Sequence, residues 1–472
     1  MGTATFADAL ATEPSDVPRG LRLTDGSQVG VIGGGPAGSL FSYFLLGLAE
    51  QVGLRLQVDI YEPRDFTRLG PPGCNMCGGI ISETLVQNLA TEGINLPPTI
   101  VQRGIDGYTL HMDVGAVRIG TPLEEKRIAA VYRGPGPLRT QDSEWGSFDG
   151  HLQDMAVGRG ARILRSRVDD VGWDDGRPKI TSRNADPQTY DLLVVATGVN
   201  SVALPLFERL GVGYHPPTTT KTYIREYELG QATLARCLGN SMHVFLLDLP
   251  GLDFAAVIPK GNHASVCLLG DRIDQDLLAS FLGSAEVRSC FPDDWHWENN
   301  VCQCAPRMNL KGAARPFADR VVFVGDAGVT RLYKDGIGAA YRTAKAAATT
   351  AIFDGIAAPD FQRGYAPICR SIESDNRIGK LLFAFTHLIQ TRPFTRRTIL
   401  RLVQHEQQGL HPPRMSGVLW DLFTGSAPYK DILRRTLHPA FLWRLGCALV
   451  ASLSPFRVET APGDRVPGTG AS

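Results

Sequence analysis

The stretch QVGVIGGGPAGSLFSYFLLGLAEQVGLRLQVDIYEPR, residues 28–64, decides the fold of this chain. It begins with a short apolar run that includes Val31 and Ile32 and continues through a glycine-rich turn. Apolar residues then recur at the spacing of an amphipathic helix. A second apolar run ends at Glu62. This order of strand, tight turn, helix and strand indicates a βαβ unit.

The glycines of the turn have the GxGxxG spacing that lets a pyrophosphate lie against the backbone. Gly33 makes the turn, Gly35 has no side chain to block the phosphates, and Gly38 lets the helix pack close to the strand. The free N–H groups and the positive dipole end of the helix then face the phosphates. Glu62 stands near the position expected for an acid that binds a ribose hydroxyl. The stretch predicts a dinucleotide site and leaves NAD and FAD both open.

A second strand-to-helix junction is predicted in RVVFVGDAGVTRLYKDGIGAAYRTAKAAA, residues 320–348. Gly325 and Asp326 end a buried strand, and Gly336 and Gly338 open an alanine-rich helix. The carboxylate can accept a hydrogen bond from a polyol hydroxyl, and the N–H groups at the helix start face a nearby oxygen. A flavin offers both, through its ribitol and a carbonyl edge that gains negative charge on reduction. This junction favours a flavin.

Several segments together resemble one known family. VGVIGGGPAG, YEPRDF, SFDGHLQDMA, DLLVVATGVNS and VVFVGDAGV with GIGAAYRTAKAAA look like the FAD-binding segments of the para-hydroxybenzoate hydroxylase superfold. Within it, CGGIIS at 77–82 and FAAVIPKG at 254–261 resemble geranylgeranyl reductases more than hydroxylases. The resemblance covers roughly residues 28–360 and implies FAD as the cofactor.

The resemblance also implies roles for individual residues. The residues implied to bind the pyrophosphate are Gly33, Gly35, Pro36, Ala37 and Gly38. Those implied to bind the adenosine are Glu62 and Arg64, and Gly198 would lie along the nucleotide. The flavin and its ribitol would be bound by Gly325, Asp326, Gly336 and Gly338. Arg133, ahead of the SFDG helix, matches the family's basic residue at that place. Cys77 matches the cysteine that reductases of this family carry near the flavin.

Two departures from the hydroxylase pattern change the expected chemistry. Thr197 precedes Gly198 where that pattern has an aspartate, which argues against direct nicotinamide binding and leaves NAD(P)H only a candidate electron donor. Gly328 and the loop residues Tyr333 and Lys334 stand where that pattern has a histidine and a proline. Reduction or dehydrogenation is therefore favoured over oxygen activation.

The predicted fold class is α/β, with a Rossmann-like FAD-binding domain, an inserted antiparallel β-sheet substrate domain and a C-terminal helical cap. The predicted segments are a flexible leader at 1–27, the first part of the FAD-binding domain at 28–204 with a small strand insertion near 100–130, the substrate domain at 205–300, the second part of the FAD-binding domain at 301–360, a helical region at 361–453 and a flexible tail at 454–472.

Composition narrows the class of function. Lys and Arg together number 48, as do Asp and Glu, so the chain has no overall charge that would favour nucleic acid as a partner. Nine cysteines over 472 residues do not form a disulfide scaffold. Neither a secretory signal nor an apolar run long enough to span a membrane is recognised. We expect a cytoplasmic protein with a small-molecule substrate.

The cysteines include two close pairs, Cys74 with Cys77 and Cys302 with Cys304. Unconnected thiols are the favoured interpretation, and no metal ligand is assigned. The alternatives are a redox-active cysteine beside the flavin, for which Cys77 is the candidate, and a zinc or iron–sulfur site. A role in the reaction would require Cys77 to contact the ring in an electropositive site.

Tyr333 and Lys334 stand in the loop between the two halves of the second junction, which should border the flavin. Either side chain could donate a proton or hold a substrate, so both are catalytic candidates. The alternative is that both side chains point to solvent, as residues of such loops more often do. His111, His243 and His263 lie in predicted strands, and a hydrogen-bonded structural role is the favoured interpretation for each.

The segment 391–457 carries an excess of arginines together with aromatic residues such as Trp443. Such content is typical of a helix at a membrane interface, and an apolar substrate would favour that interpretation. The favoured interpretation is nevertheless a cap that packs on the core and exposes its arginines, including Arg396, to solvent; the membrane-interface helix is the alternative.

The sequence therefore predicts an FAD-dependent oxidoreductase, geranylgeranyl reductase-like, that transfers a hydride through FAD to or from an unsaturated apolar substrate of the isoprenoid class. One alternative is an aromatic hydroxylase that uses FAD and NAD(P)H. Another is a flavin-binding protein with a non-redox role, structural or cyclase-like.

Overall fold

The computed structural model describes residues 21–121, 125–138, 140, 145–183, 185–270 and 272–453. Its strands are β1 Gln28–Ile32, β2 Gln57–Tyr61, β3 Ile80–Ile81, β4 Val101–Ile105, β5 Gly107–Met112, β6 Gly115–Gly120, β7 Ile128–Val131, β8 Arg162–Leu164, β9 Val168–Asp174, β10 Arg177–Ser182, β11 Gln188–Thr189, β12 Leu192–Val195, β13 Thr218–Glu228, β14 Ser241–Phe245, β15 Phe254–Lys260, β16 His263–Leu269, β17 Cys302–Cys304, β18 Arg307–Lys311, β19 Phe317–Ala318 and β20 Val321–Phe323. Its helices are α1 Pro36–Gln51, α2 Glu83–Thr91, α3 Phe148–Gly158, α4 Leu204–Glu208, α5 Gln231–Cys237, α6 Gln275–Gly283, α7 Ala285–Arg288, α8 Gly336–Phe353, α9 Ala358–Gly364, α10 Ala366–Gln390, α11 Pro393–Gln407, α12 Arg414–Thr424, α13 Tyr429–Thr436 and α14 Pro439–Leu453.

The first sheet has the strand order β19-β20-β12-β1-β2-β8 and is parallel except for β19. Its strands are continuous apolar runs because both faces are covered. Val29 and Val31 belong to the hydrophobic core that includes α1 and α8 on one face, while Ile32 belongs to the core that includes β9, β10 and α4 on the other. The βαβ unit predicted at 28–64 is confirmed as β1, α1 and β2.

The second sheet has the order β17-β13-β16-β15-β14-β5-β6, and β18 also pairs with β13. It takes in the predicted hairpin at 107–120 and the strands at 302–311, so it extends beyond the predicted limits of 205–300 on both sides. Helices α5 to α7 cover one face, whereas α10 to α14 cover part of the other. The uncovered part of that second face looks towards the first sheet.

Residues 21–27 belong to the folded unit, although the sequence assigned them to a flexible leader. Leu23 is buried, and the Gly26 N–H donates to the Arg55 carbonyl at 2.7 Å. The rest of that predicted leader, 1–20, and the predicted tail at 454–472 lie outside the described residues. Ser82 caps α2, since its hydroxyl accepts a hydrogen bond from the Leu85 N–H at 3.2 Å.

The C-terminal helices pack their inner face on the second sheet through Trp420, Tyr429 and Phe441, as the cap interpretation requires. Arg396, predicted on the solvated face, is instead 2% exposed and pairs with Asp113 at 2.5 Å between Nε and Oδ1. It is buried because α11 lies across the β5–β6 turn that carries this aspartate. In the part of the chain that the structure describes, no helix is both long and apolar enough to cross a bilayer.

Candidate functional site

The two glycine-rich junctions meet in one cavity of about 570 Å³ between the two sheets. The first junction contributes the start of α1, and the second contributes the start of α8 and the loop before it. Predicted site residues in the cavity wall are Gly33, Gly35, Pro36, Ala37, Glu62, Arg64, Cys77, Arg133, Gly198, Asp326, Tyr333, Lys334 and Gly336.

Three predicted cofactor residues lie behind this wall, where they permit close packing. A side chain on Gly38 would overlap the Gly33 carbonyl, and one on Gly325 would come within 2.7 Å of the Ala37 Cβ. Gly338, predicted to face the isoalloxazine, is outside the cavity lining, and a side chain there would overlap the Asp335 carboxylate. These three glycines allow the elements behind the wall to pack closely, but they do not line the cavity.

Gly35 differs from its neighbours because the space in front of it is open to the cavity. A Cβ at Gly35 would meet a single group within 4 Å, the Asn75 side-chain amide at 3.2 Å. The backbone is extended here, with φ −71° and ψ −171°, and α1 begins at the next residue, Pro36. The unpaired N–H groups of this helix start are therefore accessible to an anionic group in the cavity, which fits a pyrophosphate.

Glu62 ties the end of β2 to the glycine-rich turn. Its two carboxylate oxygens accept N–H groups from Gly34 and Arg64, each at 2.9 Å, and the residue is 7% exposed. Burial raises the pKa of this carboxyl, although both hydrogen bonds oppose the effect. Each oxygen keeps a second lone pair for a ribose hydroxyl, so the predicted role fits the geometry.

Arg133 and Asp149 form a buried ion pair at the cavity wall, with Nε–Oδ1 at 2.5 Å and Nη2–Oδ2 at 2.9 Å. Burial alone would lower the pKa of Arg133, but Asp149 and a hydrogen bond to Cys77 raise it. Cys77 therefore lies in the cavity wall beside a cation, as a reactive thiol would require.

The other thiols of the two pairs do not share this environment. All nine cysteines are free. Burial raises the pKa of Cys74, Cys302 and Cys304, which keeps these thiols protonated. Within the described residues, no three of the paired cysteines have their sulfur atoms close enough to bind one metal ion.

Asp326 and the start of α8 adjoin each other in the wall. Burial raises the pKa of the Asp326 carboxyl. The Asn309 side chain donates to the Asp326 carbonyl at 2.9 Å, and the position of a Cβ on Gly336 lies 4.0 Å from Oδ1. A hydroxyl-bearing chain could therefore bind Asp326 while an oxygen next to it faces the N–H groups of α8.

The loop between them holds two non-glycine residues in the left-handed region, Tyr333 at φ 59° and Asp335 at φ 57°. Such residues are strained unless their surroundings fix them. The Ser82 hydroxyl donates to Asp335 at 2.6 Å, so the strained segment is tied to the cap of α2. The backbone path brings Tyr333 and Lys334 into the cavity wall.

Residues from the C-terminal helices fix the same loop from outside. The Arg331 guanidinium donates to the Gly425 carbonyl at 2.6 Å and lies over the Tyr429 ring at 4.6 Å. The Tyr429 hydroxyl donates to the Leu332 carbonyl at 2.5 Å, and the Leu332 N–H donates to Asn376 at 2.8 Å. The C-terminal helices therefore help to form the site, because they hold the loop that carries Tyr333 and Lys334 in place.

Lys334 is a desolvated basic group of the cavity, held against two aromatic rings. Its Nζ lies 4.5 Å from the centre of the Phe254 ring and 5.9 Å from that of Phe423. Desolvation lowers the pKa of Lys334 to about 8. The ammonium group is held by aromatic faces, and its lowered pKa suits proton transfer near neutral pH.

A buried ion pair under the second sheet was not predicted from the sequence. Lys260 Nζ lies 3.0 Å from Glu226 Oε1, and the Ser265 hydroxyl donates to Oε2 at 2.5 Å. Burial alone would lower the pKa of Lys260, but the Glu226 carboxylate outweighs this and raises it. The pair joins β13, β15 and β16 on the sheet face that also carries the cavity-lining residues Ile258 and Cys267.

We expect Lys260→Met to lower the free energy of unfolding by about 3–5 kcal/mol, because Glu226 would stay buried without its counter-ion. The double variant Lys260→Met with Glu226→Leu should regain most of this loss. Denaturant titration of the three proteins measures both effects. Equal losses in the single and double variants would contradict the coupling.

A second cavity of about 480 Å³ adjoins the first. Phe254 and Tyr333 line both, so their rings separate the two spaces. Leu310 and Phe383 add apolar walls, and the remaining lining comes mainly from α10. The combined space suits a long apolar molecule with one end beside Lys334.

Comparison with known proteins gives structural neighbours only. Neither a protein-family model nor a curated protein matches the chain. A geranylgeranyl bacteriochlorophyll reductase-like protein from Thermoplasma acidophilum aligns with a TM-score of 0.58 and 15% identity, over 90% of this chain and 100% of that one. A flavoprotein/dehydrogenase from Cytophaga hutchinsonii aligns with a TM-score of 0.60 and 14% identity, over 91% and 100%.

Halogenase PltM in complex with phloroglucinol and FAD aligns with a TM-score of 0.58 and 13% identity, over 91% of this chain and 97% of that one. The predicted fold class is confirmed by these neighbours and by the two-sheet architecture. The chain therefore shares the overall fold of these neighbours, in agreement with the resemblance of its sequence motifs.

Proposed function

We propose that the chain binds FAD and is an oxidoreductase that transfers a hydride to or from an unsaturated apolar substrate, with isoprenoid chains as the leading class. The observation that carries the proposal is the single cavity between the two glycine-rich junctions. The helix start at Gly35 suits the pyrophosphate, Asp326 suits the ribitol, and the start of α8 suits the carbonyl edge of the flavin. The FAD bound to the neighbouring halogenase supports this cofactor.

FAD, when bound, would supply or accept the hydride. Saturation of a carbon–carbon double bond needs a hydride at one carbon and a proton at the other. Lys334 is the proposed proton donor, because with a pKa of about 8 it carries the proton at pH 7. Tyr333 is proposed to position the substrate, since its ring stands between the two cavities.

The apolar substrate class is supported by the walls of both cavities and by the outer surface. Leu381, Phe385 and Leu388 on α10 are about half exposed beside the second cavity, and Trp443 on α14 is 75% exposed. An apolar surface of this kind suits peripheral contact with a membrane from which a lipid-like substrate is taken. NAD(P)H is retained as a candidate electron donor.

The test is anaerobic reduction of the FAD-loaded protein with NADH, NADPH or reduced ferredoxin, followed by addition of geranylgeranyl compounds. Loss of the yellow absorbance and its return with a saturated product would support the proposal. A protein that binds no FAD would refute it. Turnover of a substrate without any change in flavin absorbance would favour the non-redox alternative.

An oxygen-dependent reaction is the second candidate, because halogenases are among the structural neighbours. Halogenation or hydroxylation of an aromatic substrate would use the same cavity. Its product would form only in the presence of oxygen. Formation of a reduced product without oxygen would exclude this alternative.

Membrane contact can be tested independently of catalysis. We expect Trp443→Asp to weaken co-sedimentation with phospholipid vesicles about tenfold, because it places a charge on an exposed apolar side of α14. The matched control is Lys221→Met, since Lys221 is exposed on β13 and far from α14 in sequence. Equal vesicle binding by both variants would contradict the proposed contact surface.

A further inference from the structure

A polar cluster lies on the face of the second sheet that looks away from the proposed FAD cavity. His111 on β5 and His243 on the adjacent parallel strand β14 point to the face covered by α5 to α7. Cys290 follows α7 and completes the cluster. The three side chains are 7%, 8% and 1% exposed. Neither the proposed cofactor nor the proposed substrate uses them.

The three potential ligand atoms form a compact triangle. His111 Nε2 lies 2.9 Å from His243 Nδ1, while Cys290 Sγ lies 3.3 Å from His243 Nδ1 and 3.8 Å from His111 Nε2. Among the residues that the structure describes, this is the one group of three or more ligand-type side chains with atoms this close.

These separations match the edges of a tetrahedral zinc site. With Zn–N near 2.0–2.1 Å and Zn–S near 2.3 Å, tetrahedral angles place two nitrogen ligands about 3.3 Å apart and nitrogen and sulfur about 3.6 Å apart. Each side of the triangle differs from these values by about 0.4 Å or less. Small rotations of the side chains would therefore admit the ion.

The His243 ring makes a hydrogen bond, through the nitrogen that faces away from the triangle, of the kind that metal-binding histidines make. His243 Nε2 lies 3.3 Å from the Leu238 carbonyl, which can only accept, so this nitrogen carries the proton. The Nδ1 atom then presents its lone pair to the centre of the triangle. Metal-binding histidines are commonly oriented by such a bond from the second nitrogen to a carbonyl.

We propose that His111, His243 and Cys290 form a zinc site that links β5 and β14 to the segment after α7. Two imidazoles and one thiolate are a ligand set that suits Zn²⁺, and a water molecule completes the tetrahedron. Binding moves the His111 proton from Nε2 to Nδ1 and releases the Cys290 thiol proton to solvent. The ion would hold the helical cover on the sheet and would therefore stabilise the domain that closes the cavity.

The experiment uses the full chain and Zn²⁺ alone as the probe. After treatment with a chelator, the protein is titrated with zinc and its metal content is measured by mass spectrometry. We expect stoichiometric zinc and a raised unfolding temperature. Replacement by Co²⁺ should give the near-ultraviolet absorption of a thiolate–cobalt bond. Wild-type protein that retains no zinc and shows no such absorption would overturn the proposal.

Variants show whether zinc binds to this cluster or to other cysteines and histidines of the chain. Cys290→Ser and His243→Ala should each lower zinc affinity at least about tenfold, and Cys290→Ser should abolish the cobalt–thiolate absorption. Cys369→Ser and His263→Ala are matched controls, because these buried residues lie outside the cluster. Retention of the cobalt–thiolate absorption in Cys290→Ser, or its loss in Cys369→Ser, would contradict the assignment. FAD content, measured in parallel, tests the proposed function separately.

Discussion

Replacement of Gly35 by valine is expected to abolish retention of FAD while the protein still folds. A side chain at this position points into the cavity in front of α1, where it would meet a single neighbour, the Asn75 amide. The backbone of Gly35, with φ −71°, accepts any residue without strain. The added bulk would occupy the place proposed for the pyrophosphate.

The size of the effect follows from the contacts that would be lost. Hydrogen bonds to charged groups contribute about 1.5–3 kcal/mol each, so exclusion of the phosphates from two N–H groups at the helix start weakens binding by at least about 100-fold. Titration of the FAD-free protein by flavin fluorescence measures this change. Thermal unfolding followed by circular dichroism shows whether the fold survives.

Gly35 is chosen because substitution of a neighbouring glycine would lower FAD binding by disturbing the fold and would not test the phosphate position. Gly33 has φ +106°, and a side chain there would approach the Ala196 carbonyl at 2.5 Å, so its substitution would disturb the fold itself. The matched control is Gly417→Ala in α12, where open space surrounds the Cβ position. It should bind FAD normally. Wild-type affinity in Gly35→Val would disprove the proposed pyrophosphate position.

The parts of the fold that could be predicted from sequence are those fixed by local periodicity. The βαβ unit is confirmed because apolar spacing and turn glycines act over a few residues. The structure also brings the two junctions, which the resemblance assigns to one FAD, together in one cavity. This meeting could be anticipated because the resemblance supplied the long-range pairing that spacing alone does not contain.

The misses involve contacts between distant segments. Phe423, which lies near Lys334, comes from a helix whose sequence carries no sign of a binding site. Arg396 has the pattern of an exposed helical arginine, and only its approach to Asp113 across the β5–β6 turn explains its burial. His111 and His243 are 132 residues apart in the sequence, so the parallel pairing of β5 with β14 could not be anticipated from either.

Gly338 shows a limit of motif transfer. The resemblance placed it against the flavin because it follows Gly336 at the start of an alanine-rich helix. In the structure, the left-handed Asp335 turns its carboxylate back over the first turn of α8 and takes the space in front of Gly338. A glycine is therefore needed there for packing, and the sequence pattern alone cannot distinguish this need from cofactor contact.

Lys334→Met is expected to lower turnover about 10²–10³-fold while FAD binding stays normal. A positioned proton donor typically contributes a factor of this size, and methionine keeps most of the side chain's length but has no ionisable proton. Because the substitution removes a desolvated charge, we do not expect it to lower thermal stability. Lys221→Met changes an exposed lysine on β13 of the second sheet, so it is the matched control and should retain full activity.

The pH dependence distinguishes a proton donor from a purely structural lysine. Desolvation lowers the pKa of Lys334 to about 8, so the group is charged below this pH and neutral above it. If it donates the proton, kcat of the wild type should be highest below pH 8 and fall as the pH rises through that value. Lys334→Met should lack this decline while its flavin absorbance is unchanged. A wild-type profile that is flat between pH 6 and 9, or an equal decline in both proteins, would assign the proton to another group. Lys334 is the strongest candidate because the strained loop, fixed by Arg331 and Tyr429, holds its ammonium group among aromatic rings in the cavity.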